Sequence, residues 1–291
     1  VTVGQVIRSH SNIFYVLTDG EIVECRPRGR FRLDRQEVLT GDLVEVHREK
    51  NEGRIDKVLP RRTCLQRPAV ANVDQALVVF TLKEPEADFQ FLDRVLIHAE
   101  QAGVRAIILL NKVDLVEPEV VAAFCHAYGE QVGFDVLPIS AKQEIGLEEL
   151  WPRLVGKVSV LAGHSGVGKS RLVRALEPAR DDVRVGELSE KLGRGKHTTR
   201  HVELVPLTRG GLLADTPGFT YLEFEGMEKQ QVPKLFREFT PYAAECRFSD
   251  CMHRKEPDCA VRDAVEAGQI PRTRYESYLV FLGEIEAMKR W

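Results

Sequence analysis

The sequence predicts a multidomain α/β chain with an N-terminal OB-fold β-barrel, a central parallel α/β domain and a C-terminal zinc-binding, α-rich domain. Three observations carry this. Short β-like runs crowd the chain before residue 60; buried strands then alternate with helical stretches around a complete phosphate-loop pattern; and three cysteines and a histidine gather within 246–259. The chain has 291 residues, enough for two or three units when typical domains run to ~100–150 residues.

The first unit is read as residues 1–67. Runs at 4–7, 13–17, 21–25, 42–46 and 53–58 are short and β-like, and Asp19-Gly20 between two of them reads as a tight hairpin turn. Five such strands fit a small barrel, with the OB-fold preferred and an SH3-like barrel as its rival. The proline- and arginine-rich segment 60–68 reads as a linker. A second unit, 68–225, begins with the apolar run 76–80, the amphipathic stretch 88–101 and the apolar run 106–110, which together make a βαβ unit of a parallel sheet. A helix-like stretch at 118–131 and strands at 134–139, 157–161, 201–206 and 211–214 extend it, while 181–200 is poor in apolar residues and reads as a loop. The third unit, 226–291, has helical stretches at 228–239 and 272–290 around the cysteine cluster.

Formal net charge is −3, so any contact with nucleic acid has to come from local basic patches. No apolar run approaches the ~20 residues that span a bilayer. A cytoplasmic, reduced compartment and a monomer are expected, with metal ligation favoured over disulfides for the clustered cysteines. Cys25, Cys64 and Cys125 are scattered and read as packing residues.

Gly163-His164-Ser165-Gly166-Val167-Gly168-Lys169-Ser170 is a full P-loop pattern between an apolar strand and a helical run. Its glycines let backbone N–H groups turn toward phosphate oxygens; Lys169 would neutralise β- and γ-phosphates and Ser170 would reach Mg²⁺. Asn111-Lys112-Val113-Asp114 follows a buried strand. Asp114 can accept two hydrogen bonds from guanine N1–H and the exocyclic amine, and adenine would leave that carboxylate unpaired. Ser140-Ala141-Lys142 supplies a second base-contact loop at another strand end.

Asp215-Thr216-Pro217-Gly218 comes last, with Asp215 expected on Mg²⁺ through water and the Gly218 N–H on the γ-phosphate. Phe219 stands where a water-orienting glutamine would serve in Ras-like enzymes. Thr198 or Thr199, with Thr199 preferred, could complete the Mg²⁺ shell, and His197 is a candidate water-positioning group against the alternative of a loop histidine without a role. Ordinary GTPases place the phosphate loop before the guanine motif. This order reads as a circularly permuted P-loop GTPase domain binding GTP or GDP.

Cys246, Cys251, His253 and Cys259 offer a closed tetrahedral set for one structural Zn²⁺, with a disulfide or unliganded thiols as alternatives. Arg26, Arg28, Arg30, Arg32 and Arg35 around Phe31 suit phosphate contacts and base stacking, or form a solvated loop. Lys191, Arg194, Lys196 and Arg200 form a second basic patch.

Barrel, Asn-Lys-x-Asp, Ser-Ala-Lys, P-loop, Thr-Thr loop, Asp-x-Pro-Gly and Cys-x4-Cys-x-His-x5-Cys, in this order, resemble the RsgA (YjeQ/YloQ) family of circularly permuted GTPases over nearly the whole chain. The resemblance implies a GTP hydrolase that binds the small ribosomal subunit and its rRNA during late maturation, stimulated by that subunit. It carries guanine recognition onto Asn111, Lys112 and Asp114, phosphate binding onto 163–170 and zinc ligation onto Cys246, Cys251, His253 and Cys259. Phe219 fits the family's apolar residue after Asp-x-Pro-Gly. One departure is that family members can carry a histidine soon after that motif, whereas none occurs here between His201 and His253. A nucleotide-gated module for another RNA or protein partner, and a metal-delivery GTPase, remain alternatives; the closed Cys₃His set argues against the second.

Overall fold

The computed structural model describes residues 1–28, 37–49, 52–66, 69–177, 202–215, 224 and 226–288, and of Glu49, Gln66 and Asp215 the backbone alone. Strands β1 (Thr2–His10), β2 (Ile13–Thr18), β3 (Glu21–Pro27), β4 (Leu43–Glu49) and β5 (Glu52–Val58) close into a barrel in the order β1-β2-β3-β5-β4. Only the β3–β5 pair is parallel. This Greek-key closure is that of an OB-fold and decides against the SH3-like rival. Alternation along the strands sends Val6, Val16, Val44, Val46 and Ile55 inward, all without solvent exposure. Asp19 and Gly20 both take positive φ (52° and 78°), the twist a two-residue hairpin turn requires. Gly53 has no room for a side chain, since a Cβ there would lie 2.4 Å from the Cys25 sulfur.

The segment expected to be a linker contributes β6 (Cys64–Gln66), which pairs with β7 (Ala69–Ala71) just beyond it. Leu65 and Val70 explain it, because both bury into a core shared with Ile7 of the barrel. Arg61 grips the fully buried Asp42 through two hydrogen bonds of 2.7 and 2.9 Å, and Thr40 Oγ1 donates to the Val202 carbonyl at 3.1 Å. Barrel and central sheet are therefore packed together. Of the cysteines read as packing residues, Cys25 is buried, Cys125 half-buried and Cys64 exposed on the ribbon.

The central sheet runs β10-β9-β8-β11-β13-β12, built from β8 (Gln75–Phe80), β9 (Arg105–Leu110), β10 (Asp135–Pro138), β11 (Val158–Ala162), β12 (Leu204–Pro206) and β13 (Leu212–Asp215). All neighbours are parallel except the edge strand β12. Both faces are covered, which is why β8 reads as one apolar run: Ala76, Val78 and Phe80 enter one core, Leu77 and Val79 the other. Helix α1 (Phe89–Gln101) lies against the first, and α3 (Leu147–Leu154) and α4 (Lys169–Leu176) against the second. The stretch expected to be one helix over 118–131 is α2 (Pro118–Cys125) followed by a wider π-type turn, His126–Gln131. Helix α3 escaped the motif-centred reading, although Leu147, Leu150, Trp151 and Leu154 have helical spacing.

In place of a continuous helix over 228–239, short turns run through 229–243, where Pro233 and Pro241 interrupt longer helices. Helices α5 (Ala260–Glu266) and α6 (Arg272–Met288) follow. Helix α6 is joined to α1 by Arg94, which makes two hydrogen bonds to Glu284 (2.8 and 2.7 Å) while lying over the Phe224 and Phe281 rings. Deeper in, the fully buried Arg274 donates to Asp93 (2.9 Å) and Glu238 (2.6 Å), and the Tyr128 hydroxyl also donates to Asp93 (3.0 Å). Burial pushes the Asp93 carboxyl up, whereas Glu238 and Asp93 outweigh burial at Arg274 and keep the guanidinium charged. Removing one partner from such a network costs ~3–5 kcal/mol, because the other charges stay buried. Among the described residues no helix is long and apolar enough to cross a membrane.

Candidate functional site

Three strand ends of the sheet meet at one edge. Beyond β9 the chain turns sharply through Lys112, whose φ is +63°, into the short turn Val113–Leu115. Asn111 is the joint: its side-chain amide donates to the Val167 carbonyl at 2.7 Å and its carbonyl accepts from the Ala141 N–H at 3.0 Å. One buried side chain thus ties the Asn-Lys-x-Asp turn to both the phosphate loop and the Ser140-Ala141-Lys142 loop. Ser140 is buried and accepts from the Gln143 N–H, Ala141 is buried and Lys142 is exposed. The Asp114 Oδ1 atom is shielded from solvent and has no hydrogen-bond partner among the described residues. Such an orphaned acceptor is what a guanine ring with two donors would satisfy.

The phosphate loop connects β11 to α4. Gly163, Gly166 and Gly168 all take positive φ. A Cβ at Gly163 would lie 2.4 Å from the Val79 carbonyl, and one at Gly168 2.3 Å from the Asn111 amide nitrogen. Val167 is buried beneath the loop, while Ser165, Gly166 and Ser170 face solvent. Lys169 Nζ donates to the Gly163 and His164 carbonyls at 2.7 and 2.8 Å, within its own loop. Asp215 ends β13, the strand beside β11, which brings its backbone to the same sheet edge. His197, Thr198, Thr199, Thr216, Pro217, Gly218 and Phe219 lie outside the described residues, as do Phe31, Arg30, Arg32, Arg35, Lys191, Arg194, Lys196 and Arg200.

Sequence reasoning passed over the loop between β8 and α1. Lys112 Nζ donates to the Glu84 carbonyl, Pro85 faces Gly166 across the phosphate loop, and Asp88 contacts His164. An Asp immediately before an amphipathic stretch is a readable N-cap signal, and Asp88 does cap α1 by accepting from the Phe91 N–H at 2.9 Å.

The second centre is local. Potential ligand atoms of Cys246, Cys251, His253 and Cys259 all lie within 4.8 Å of one another. Three of their separations are 3.6 Å (Cys246 Sγ to His253 Nδ1), 3.4 Å (Cys259 Sγ to His253 Nδ1) and 3.9 Å (Cys246 Sγ to Cys259 Sγ). A tetrahedron with Zn–S bonds of ~2.3 Å has edges of ~3.8 Å, so the set fits zinc. Burial raises the Cys251 and Cys259 thiols and lowers His253; a divalent cation would offset the cost of the thiolates. Glu256 accepts from the backbone of Met252, Arg254 and Lys255, and these bonds overcome burial to hold its carboxyl at about 2. The Tyr275 hydroxyl donates to the His253 carbonyl at 2.7 Å, fixing the same turn from α6.

On the barrel, Arg26 of β3 stands in register with Arg54 of β5, which faces His47 of β4. Arg54 also donates to the Asp56 carboxylate at 3.0 Å.

Residues 3–55 match the family model described as RsgA N-terminal domain, and residues 58–225 match the one described as RsgA GTPase. The chain belongs to the RsgA GTPase family. Small ribosomal subunit biogenesis GTPase RsgA of Shouchella clausii is 44% identical over 290 residues, covering 99% of this chain and 98% of the relative. The protein of the same description in Moorella thermoacetica is 45% identical over 288 residues, with the same coverage. Among solved structures, YjeQ from Thermotoga maritima aligns with a TM-score of 0.83 at 36% identity over 98% of each chain. YloQ, described as a circularly permuted GTPase, aligns with a TM-score of 0.82 at 35% identity, covering 99% of this chain and 96% of its own. As an RsgA-family GTPase, the chain pairs the rotated motif order with the N-terminal barrel and the C-terminal Cys₃His cluster.

Proposed function

We propose that this chain hydrolyses GTP to GDP and phosphate while assisting late maturation of the small ribosomal subunit, as a cytoplasmic monomer whose turnover that subunit stimulates. The observation that carries the nucleotide reading is Asn111, which bonds the phosphate loop and the Ser-Ala-Lys loop at once and so makes one pocket of three distant motifs. In this reading, Asp114 reads guanine beside Asn111, Lys112, Val113 and Ser140 to Lys142; residues 163–168 cradle phosphates; and Lys169 supplies positive charge. Ser170 and Asp215 hold Mg²⁺, which when bound neutralises charge on the β- and γ-phosphates. His197, Thr199 and Gly218 complete the hydrolytic group from segments beyond the described residues. Cys246, Cys251, His253 and Cys259 hold one structural zinc, and the domains divide at 1–67, 68–225 and 226–291. Arg26 and Arg54, in register on adjacent strands of the barrel, support an rRNA contact there, since guanidinium groups on an OB-fold suit phosphate oxygens.

Single-turnover GTP hydrolysis with and without purified small subunits tests the reading. Strong stimulation is expected. GTP-dependent binding without any stimulation would favour a nucleotide-gated binding module instead. Asp114→Asn should shift preference from guanine toward xanthine nucleotides, and unchanged GTP affinity in a titration would remove Asp114 from the base site.

A further inference from the structure

We infer that Asp88 is a positioning residue for the phosphate cradle, acting through His164; this rests on the nucleotide reading above. Asp88 divides its carboxylate between two tasks. One oxygen caps α1 through the Phe91 N–H, and the other meets His164 Nε2 at 3.1 Å. The His164 ring also packs on Phe91, with centroids 3.8 Å apart. His164 is the second residue of the phosphate loop, and its carbonyl is one of the two that hold Lys169 Nζ. The lip of the cradle is therefore fastened, by side chain and by ring, to the first turn of α1.

That turn is itself fixed. Farther along α1, Asp93 and Arg94 are held by Arg274 and Glu284 of α6, so the helix offers the lip a rigid point of reference. Residues 81–88 add two more contacts to the same region. Lys112 of the guanine turn donates to the Glu84 carbonyl, and Pro85 lies 3.7 Å from where a Cβ on Gly166 would stand. A single bracket thus spans the base-reading end and the phosphate end of the pocket, and Asp88 is its attachment to the cradle. Both partners are near half exposed, His164 at 40% and Asp88 at 49% of the side chain, so the pair adds little to global stability. Its contribution is to where the lip sits when nucleotide arrives.

Serine separates the two tasks, since it caps a helix as well as aspartate but is too short to reach His164 as well. Asp88→Ser is expected to raise KM for GTP about fivefold while kcat stays within twofold, the signature of lost uniform binding. Thermal unfolding should move little. His164→Ala should give a similar rise in KM, the double variant should be no worse than either single one, and His164→Gln, which keeps a donor toward Asp88, should recover most of the loss. A variant weakened only structurally would instead lose active fraction and melting temperature at constant KM. The assignment is overturned by a KM within 1.5-fold of wild type in Asp88→Ser, or by additive effects in the double variant, when the wild type turns over GTP normally. If the wild type neither binds nor hydrolyses GTP, the nucleotide reading fails and the pair with it.

Discussion

The pocket at the strand ends and the Cys₃His cluster both gather convergent polar atoms, but along opposite routes through the chain. In the pocket, Asn111 reaches Val167 across 56 residues and Ala141 across 30. In the cluster, all four candidate ligands fall within 246–259. A site gathered by a sheet depends on where strands end in space, so its motifs can follow one another in a rotated order without loss. A local site has little secondary structure of its own, and burial raises the Cys251 and Cys259 thiols it brings together.

Breaking the local site should have the larger effect, because structural zinc contributes ~10 kcal/mol or more to small modules that depend on it. Cys259→Ser should abolish the expected content of about one zinc per chain. Hydrogen exchange should then accelerate across 246–266 while β8, β9 and β11 remain protected. Continued protection of 246–266 would mean that the turn stands without metal.

Gly168→Ala attacks the joint of the distributed site, where φ is +102° and a Cβ would press on the Asn111 amide. A cost of ~1–3 kcal/mol in urea unfolding is expected, with GTP affinity falling by at least ~100-fold, since ~2.7 kcal/mol or more of binding is lost when the loop and the guanine turn are forced apart. Zinc content should not change. Equal GTP affinity would show that the two motifs are less tightly coupled than Asn111 indicates.

The smallest effect concerns the sheet edge leading to Ser140. Asp135 accepts hydrogen bonds from Arg153 and Arg105, and the Arg153 bonds chiefly hold its carboxyl below the usual range. A lowered folded-state pKa contributes stability above the unfolded value of ~3.9 and loses it as pH falls through the folded value. Asp135→Asn should therefore cost under ~1 kcal/mol at pH 7 and close to nothing near pH 2, read from urea midpoints at both. A constant difference across that range would assign the loss to packing.

Legibility followed the same division. Barrel strands, the βαβ unit and the cysteine spacing are written locally, in alternation, apolar runs and short intervals. The OB-fold could be chosen over its rival only once β3 was seen beside β5. Residues 60–68 resemble a linker in composition, yet Leu65 within them, beside Val70 just past them, finds a core that no local window reveals. Arg274 was the least legible: an arginine in a helical stretch reads as solvated, and its partners Asp93 and Glu238 stand 181 and 36 residues away. The bracket at 81–88 was hidden for the same reason, since His164 lies 76 residues beyond Asp88.

The Asp93–Arg274 contact also sets an order of events during synthesis. The barrel strands end at Val58, so that module can close soon after it leaves the ribosome, as N-terminal units generally do. Helix α1 follows early, but its Asp93 carboxylate must await an arginine 181 residues farther along the chain. Until Arg274 emerges, the face of α1 that α6 will cover carries an acid built for an interior that does not yet exist. The central domain thus stays incomplete until α6, the last long helix among the described residues, has been made.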